Sequence, residues 1–185
     1  MTNEDNTIIQ RIRNGDTKEF KLLVNRHGPA LMVFAGRMVG QQEDAEDVVQ
    51  NTFIAAYQHL KEFNPQRASL STWLQHIAYH EALHHLRKHK QPGTIPLDMD
   101  DDAPEDLPET TTAEQLDKAI QMLRPEDQML LHLYYFDERP LKEIAYIMNG
   151  RNNSLDREVS RLSSRLFRIR QRLRLILTRM NNEKR

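Results

Sequence analysis

The sequence predicts an all-α protein of two small helical domains joined by an acidic flexible linker. Apolar residues recur almost everywhere with a helical period of about 3.6 residues. Alternating β-branched runs are scarce, and glycine occupies only 6 of 185 positions, too few to punctuate a strand-rich fold. With 38% hydrophobic and 29% charged residues, the cores must be small and the surface well solvated. Cysteine is absent, which excludes disulfides and thiolate metal sites and suits a reducing compartment. No apolar run approaches the roughly 18 residues of a membrane span, and the opening MTNEDNTIIQ is too polar and acidic for a secretory signal. A cytoplasmic protein is expected.

Thr7 to Arg13 reads as a short amphipathic turn or two stopped by Asn14-Gly15, with Asp16 or Thr17 capping the second helix. That helix carries Phe20, Leu23 and Val24, and Pro29 should kink or restart it before Leu31, Met32, Phe34, Ala35 and Met38. The next begins near Glu43, where acids crowd a first turn favoured by the helix dipole, and runs to about Lys61. Its Ala45, Val48, Val49, Phe53, Ala56 and Leu60 share one face, which leaves Asp44, Asp47, Gln50, Asn51 and Gln58 toward solvent or a partner. After the loop Phe63 to Ser69, Ser69 or Ser71 caps a fourth helix. It passes through Trp73, Leu74, Ile77, Ala78, Leu83 and Leu86 to the basic end Arg87-Lys88-His89-Lys90.

Composition then changes. Between Gln91 and Asp117 nine acids meet no Lys or Arg, and prolines stand at 92, 96, 104 and 108. Self-repulsion and proline make residues 91–112 an extended linker. Beyond it, Ala113 to Leu123 and Pro125 to Phe136 read as two helices, the second with proline at its first position. Pro140 opens a shorter one, LKEIAYIMN, whose small Ala145 permits a close helix approach. The turn Gly150 to Ser154 leads into the longest helix, Leu155 to Met180. Its Leu155, Val159, Leu162, Leu166, Ile169, Leu173, Ile176 and Met180 step alternately by four and three, one buried stripe on an otherwise polar helix. Residues 151–185 hold ten Arg and one Lys against three acids, a net of +8 in a chain whose total is -1. That excess points to phosphates, although a coiled-coil helix with a solvated basic face shares the pattern. A short helix, a Gly and Asn turn and a longer basic helix make a helix-turn-helix, whose second helix can enter a DNA major groove.

Read together, DAEDVVQNTFIAAYQHL, F-x5-SLSTWLQHIA, the acidic linker, LRPEDQMLLHLYYF, KEIA and RLFRIRQRLR resemble, in this order, the bacterial RNA polymerase sigma factors of the extracytoplasmic function (ECF) group of the sigma-70 family. The resemblance runs from Ile9 to Leu177. It implies a region 2 helical bundle over residues 1–90, the linker over 91–112 and a region 4 helix-turn-helix over 113–181. Asp44, Asp47, Gln50 and Asn51 would grip the clamp helices of the β′ subunit of core RNA polymerase, whose β subunit is a further contact. Asn64, Arg67 and Ser69 of the loop, with Gln75, His76, His80, Arg87 and Lys88 of the helix beyond it, would hold the −10 promoter element. Capturing a melted strand needs a surface or pocket for an extruded base and cations beside the backbone. Trp73 shares a face with Leu70 and Ile77, which places it in the core. Ser163, Ser164, Phe167 and Arg168 would read the −35 element, with Arg165 and Arg170 on its phosphates, since arginine is the side chain best shaped for guanine edges. Promoter DNA and core polymerase are thus the implied partners, an anti-sigma factor a further one. No catalytic residue, cofactor, metal or membrane contact is implied.

Two features depart from the family. It commonly has Asn and Asp where this chain has His80 and His84, so its −10 preference does not carry over. The turn before the basic helix is also longer by about seven residues, one heptad. Because the apolar stripe continues unbroken back to Leu155, the insertion is expected to lengthen the helix at its N-terminal end, where either Arg157, Ser160 and Arg161 approach DNA or the extra turns clash with it.

His80-Glu81-Ala82-Leu83-His84 is also a literal H-E-x-x-H on a helix, the spacing with which zinc metalloproteases bind their metal and place a glutamate as general base. No third ligand is evident, and the basic LRKHKQP just after it opposes a second positive charge. A stand-alone helix-turn-helix regulator is the other alternative, and it leaves residues 1–90 without a role.

Overall fold

The computed structural model describes residues 3–89, 111–150 and 155–182, which form helices joined by turns and a short loop. Residues 90–110, with the acids from Asp98 to Glu109, and residues 151–154 of the turn lie outside the described residues.

The first helix, α1 (Asn3–Arg13), is longer than expected, with Glu4 and Asp5 in a first turn where the dipole favours acids. Asp5, 5% exposed, accepts a hydrogen bond from Arg26 Nη1 at 2.6 Å, which ties α1 to the second helix. Gly15, at φ 106°, makes the turn that a side chain would strain. Neither Asp16 nor Thr17 caps the second helix, α2 (Phe20–Val39), because a 3-10 turn, Thr17–Glu19, intervenes and Glu19 directly precedes it. Pro29 does not restart α2 either, which runs as one helix of 20 residues. Pro29 and Asn25, the residue whose carbonyl loses its donor, are both exposed, so solvent can satisfy that carbonyl.

Two further helices, α3 (Gln42–His59) and α4 (Leu70–Lys88), pack pairwise with α2 into a bundle. The expected stripe on α3 is the buried one, joined by Thr52, whose hydroxyl donates to the Val48 carbonyl at 2.7 Å. Arg13 Nη2 donates to the carbonyls of Leu60 and Phe63 at 2.9 and 2.7 Å, which ties α1 to the turn that follows α3. Ser69 caps α4, accepting from the Thr72 amide at 3.1 Å. Trp73, 9% exposed, lies in the core with its ring centroid 5.2 Å from that of Phe63.

Grouping by contacts does not follow chain order. Four further helices are α5 (Ala113–Gln121), α6 (Pro125–Leu131), α7 (Leu141–Asn149) and α8 (Leu155–Asn182). Of these, α7 belongs to the same compact unit as α1–α4, whereas α5, α6 and α8 form a second. In that second unit α5 opens with a reciprocal cap: Gln115 N donates to Thr112 Oγ1 at 3.3 Å and Thr112 N to Gln115 Oε1 at 2.9 Å. Pro125 stands at the start of α6 as expected, but the helix does not continue as α. It widens into a π-helical turn, His132–Phe136, which leaves Tyr135 and Phe136 exposed while Leu133 is buried. In α8 the stripe from Leu162 to Ile176 is buried, and Leu155, Val159 and Met180 at its ends are partly so. The extra heptad is helical, since α8 begins at Leu155.

Candidate functional site

On α3 the buried stripe forces Asp47, Gln50 and Asn51 outward, and all three are exposed. Asp44 is only half-exposed, because His85 Nε2 of α4 lies 3.1 Å from its Oδ1, at ion-pair distance though off hydrogen-bond alignment. Sequence reasoning missed the apolar part of this face. Ile54 and Tyr57, four and seven residues beyond Gln50, are 50% and 45% exposed. They border an open groove of about 590 Å³ between α2 and α3, lined also by Phe20, Val24, Met32 and Phe53. The signal was present in the sequence: Ile54 falls off the core stripe, on the polar side of an amphipathic helix. Carboxylate and amide groups beside a groove of this composition suit a helical partner that is basic at its rim and apolar at its centre.

A second cluster lies on α4 and the loop before it. Arg67, Arg87 and Lys88 are exposed, as is Asn64, whose Oδ1 accepts from the Gln66 amide at 2.9 Å and shapes the loop. Gln75 points inward: it is 6% exposed, and its Oε1 has no hydrogen-bond partner among the described residues. Of the remaining polar residues of the cluster, His76 meets α7 directly and Ser69 through Thr72, while His80 is exposed. His76 Nδ1 lies 2.9 Å from the Ile147 carbonyl, and because a carbonyl only accepts, the proton sits on Nδ1. Thr72 Oγ1 donates to Glu143 Oε1 at 2.7 Å, so the neighbouring Ser69 hydroxyl, also 2.7 Å away, donates to Thr72 in turn. Burial pushes the His76 imidazole below its ordinary pKa against the opposing effect of the Ile147 carbonyl. His80 is lowered in the same direction, first by burial and then by the charges of His76 and Arg87. Tyr146 is raised by burial, with Arg67 opposing.

The H-E-x-x-H residues do not converge on a metal-binding arrangement. His80 packs edge-on against His76 at 4.6 Å and Tyr79 at 5.4 Å between ring centroids, and His84 is exposed. Among the described residues no three His, Cys, Asp or Glu side chains are grouped to hold an ion.

In the second unit, Ser163, Ser164, Phe167, Arg168 and Arg170 of α8 are exposed. Ser163 folds its hydroxyl back onto the Val159 carbonyl at 3.0 Å. Arg165 is placed differently from its neighbours. Its Nε donates to Asp127 Oδ1 at 2.7 Å, while Arg124 Nε donates to Asp127 Oδ2 at 3.0 Å, and the carboxylate between them is 3% exposed. This clamp fixes the roll of α8 against α6 and turns a stripe of Arg157, Arg161, Ser164 and Arg168 to solvent. Asp127 could not have been singled out from sequence, where it is one acid of a helical first turn. The basic excess on that stripe of a long exposed helix suits a phosphate-lined groove.

Comparison with known proteins converges on one family. A family model described as Sigma-70 region 2 matches residues 23–91. The chain is 31% identical to the ECF RNA polymerase sigma-E factor of Escherichia coli over 185 residues, covering 90% of this chain and 91% of that protein. It is 31% identical to the ECF RNA polymerase sigma factor SigW of Bacillus subtilis over 156 residues, covering 76% and 83%. Identity to the RNA polymerase sigma-H factor of Pseudomonas aeruginosa is 28% over 186 residues, 91% of each. Two solved structures share the fold. CnrH, in complex with the cytosolic domain of CnrY, aligns over 93% of this chain and 96% of its own with a TM-score of 0.59 at 22% identity. RpoE, in complex with the anti-sigma factor NepR from Bartonella quintana, aligns over 87% and 98% with a TM-score of 0.56 at 23% identity.

Proposed function

The chain belongs to the ECF group of the sigma-70 family of RNA polymerase sigma factors, and from that premise we propose which of its surfaces carry each part of the work. As a sigma factor it directs transcription initiation and is not itself an enzyme; nucleotide chemistry stays with the core polymerase. Residues 1–90 serve as region 2, residues 91–112 as the linker and residues 113–181 as region 4. Asp47, Gln50 and Asn51, with Ile54 and Tyr57 beside them, dock the β′ clamp helices, and Asp44 contributes through its pairing with His85. The loop Asn64 to Ser69 and the face of α4 bearing His76 and His80 hold the −10 strand, with Arg67, Arg87 and Lys88 along its backbone. Ser164, Phe167 and Arg168 read the −35 element, flanked by Ser163 and Arg170. Arg165, engaged by Asp127, acts by orienting them.

The observation that carries this reading is the exposed acidic and amide face of α3 next to an apolar groove, on a chain whose relatives match it almost end to end. The protein works in the cytoplasm, where its polymerase is, and an anti-sigma factor is a further partner. Two relatives of the same fold were solved as complexes, one with the cytosolic domain of CnrY and one with an anti-sigma factor. Run-off transcription from a randomised promoter library, with core polymerase plus or minus this chain, tests the proposal. Products confined to templates sharing spaced −10 and −35 sequences are expected, and their absence overturns it.

A further inference from the structure

Near the end of α4 a buried nitrogen lies against a carboxylate without bonding to it. His85 Nε2 is 3.1 Å from Asp44 Oδ1 of α3, and only 14% of the His85 side chain is exposed. The nitrogen is shut off from solvent, yet among the described residues it has no hydrogen-bond partner, because it does not align with the carboxylate. A buried nitrogen left so is the kind of group that an ion satisfies. The separation is also close to that of two ligands on one tetrahedral zinc, about 3.3 Å for bonds of about 2.0 to 2.2 Å. Ligands that share an ion aim their lone pairs at it and not at each other, so the misalignment fits as the distance does. One turn away, His89 ends α4 and stacks on His85, with ring centroids 4.3 Å apart and planes at 25°. The two have the i, i+4 spacing with which histidines of one helix share a metal. While the rings stay stacked, only two of the three groups are in place, which is why no three converge. Exposed Arg87 and Lys88 oppose a cation there, as does the amide end of α3. Asp44, the exposed acids Glu43 and Asp47 and the carbonyl end of α4 offset them.

We propose that His85, His89 and Asp44 form a site for a divalent ion of the zinc class, which ties α4 to α3 once the exposed His89 ring turns from its stack to join the other two. Imidazole nitrogens and a carboxylate, in a chain without thiolates, suit zinc or cobalt, and water completes the shell. The site uses no residue of the H-E-x-x-H run. Resting on the assignment of Asp44 to the face that docks the β′ clamp helices, the ion also bears on assembly. It neutralises Asp44 and holds it against α4, so metal and polymerase compete for one carboxylate.

The test titrates the full chain with Co(II), whose visible absorption bands report tetrahedral coordination. The wild type should give such bands, and added Zn(II) should remove them. His89→Ala, at an exposed position that leaves the fold intact, and Asp44→Asn should each weaken Co(II) binding by at least about tenfold. His84→Ala should bind Co(II) as the wild type does. If no such bands form, or if His89→Ala and Asp44→Asn bind Co(II) unchanged, the site does not exist. Loss in His84→Ala with His89→Ala unaffected would move the metal to the H-E-x-x-H run and overturns the proposal equally. Added Zn(II) should also weaken association of the wild type with core polymerase by about tenfold and that of His89→Ala not at all. Zinc that binds the wild type without changing this affinity overturns the competition. If neither protein binds core polymerase with or without zinc, the fault lies in the proposed function, and the Co(II) spectra still decide the site.

Discussion

At the scale of single residues, position on a helix decides what a charge does. Asp47 and Asp127 are both acids near a helix N-terminus, yet Asp47 is exposed and Asp127 is 2% exposed between two guanidinium groups. Asp47→Arg therefore changes a surface and not the fold. It should weaken association with core polymerase by about tenfold or more, about 1.4 kcal/mol, with the circular dichroism spectrum unchanged. Equal affinity for the variant would remove Asp47 from the interface. His76 makes a prediction about pH. Burial against α7 holds its pKa below the ordinary value near 6.5, and His80 shifts the same way. The facing groups are Tyr146 and Glu143 on α7, Arg67 on the loop and Arg87 on α4. The packed state binds fewer protons than the released one, so the contact is at full strength above about pH 6.5 and weakens as pH falls through that value. Hydrogen exchange of α7 amides, corrected for intrinsic rate, should accelerate between about pH 7.5 and 5.5. A flat profile would show that neither imidazole is coupled to the contact.

At the scale of elements, α2 tolerates a local offence that tertiary packing outweighs. Pro29 sits in the interior of α2, where proline is about 3 kcal/mol worse than alanine. The helix survives because Leu23, Leu31, Phe34 and Met38 are all buried on its inner side, each worth about 1.5 to 3 kcal/mol. Pro29→Ala should thus stabilise the protein by about 1 to 2 kcal/mol after the looser unfolded chain is counted. Thermal unfolding checks it, and a lowered Tm would mean that the ring is needed where it lies. In α8 the Asp127 clamp sorts the arginines. Arg168, the proposed reader of bases, lies on the exposed stripe one turn from Ser164, whereas Arg174 lies farther along and half-buried. Arg168→Ala should change the ranking of single-base −35 variants, at a cost of about 1 to 3 kcal/mol at the contacted pair. Arg174→Ala should leave the ranking alone. Holoenzyme binding measured over the variant set at two salt concentrations separates the cases. A uniform loss for Arg168→Ala would shift the reading positions toward Arg157 or Arg161 on the same stripe.

For the whole molecule, charge is segregated along the chain although it sums to only -1, with the acids concentrated between the two parts and the arginines at the end. Nine carboxylates without a compensating base resemble nucleic acid in charge, which suits a basic channel of the polymerase. Changing Asp98, Asp100, Asp101 and Asp102 to Asn should alter initiation or promoter escape while core binding persists. Transcription from a fixed promoter that is indifferent to the change would reduce the segment to a tether.

The helices were legible because their causes are local. The stripe on α8, the core of α3, the Ser69 cap and the proline that starts α6 are all matters of spacing within a few residues, and they lie where the sequence puts them. So was the outward face of Asp47, Gln50 and Asn51, which results from the burial of the residues beside them. The start of α1 was misjudged where a distant partner intervenes, Asp5 with Arg26, and that of α2 where a 3-10 turn takes the place of a cap. Gln75 and Arg165 look like any polar residues on a basic or amphipathic helix, and only the fold turns one inward and gives the other a buried carboxylate. The covering of His76 by α7 joins residues 71 apart, and a groove between α2 and α3 needs two helices to exist. Spacing along a chain fixes which face a residue takes on its own helix, whereas the partner that face meets depends on how helices close in space, and that information is not local.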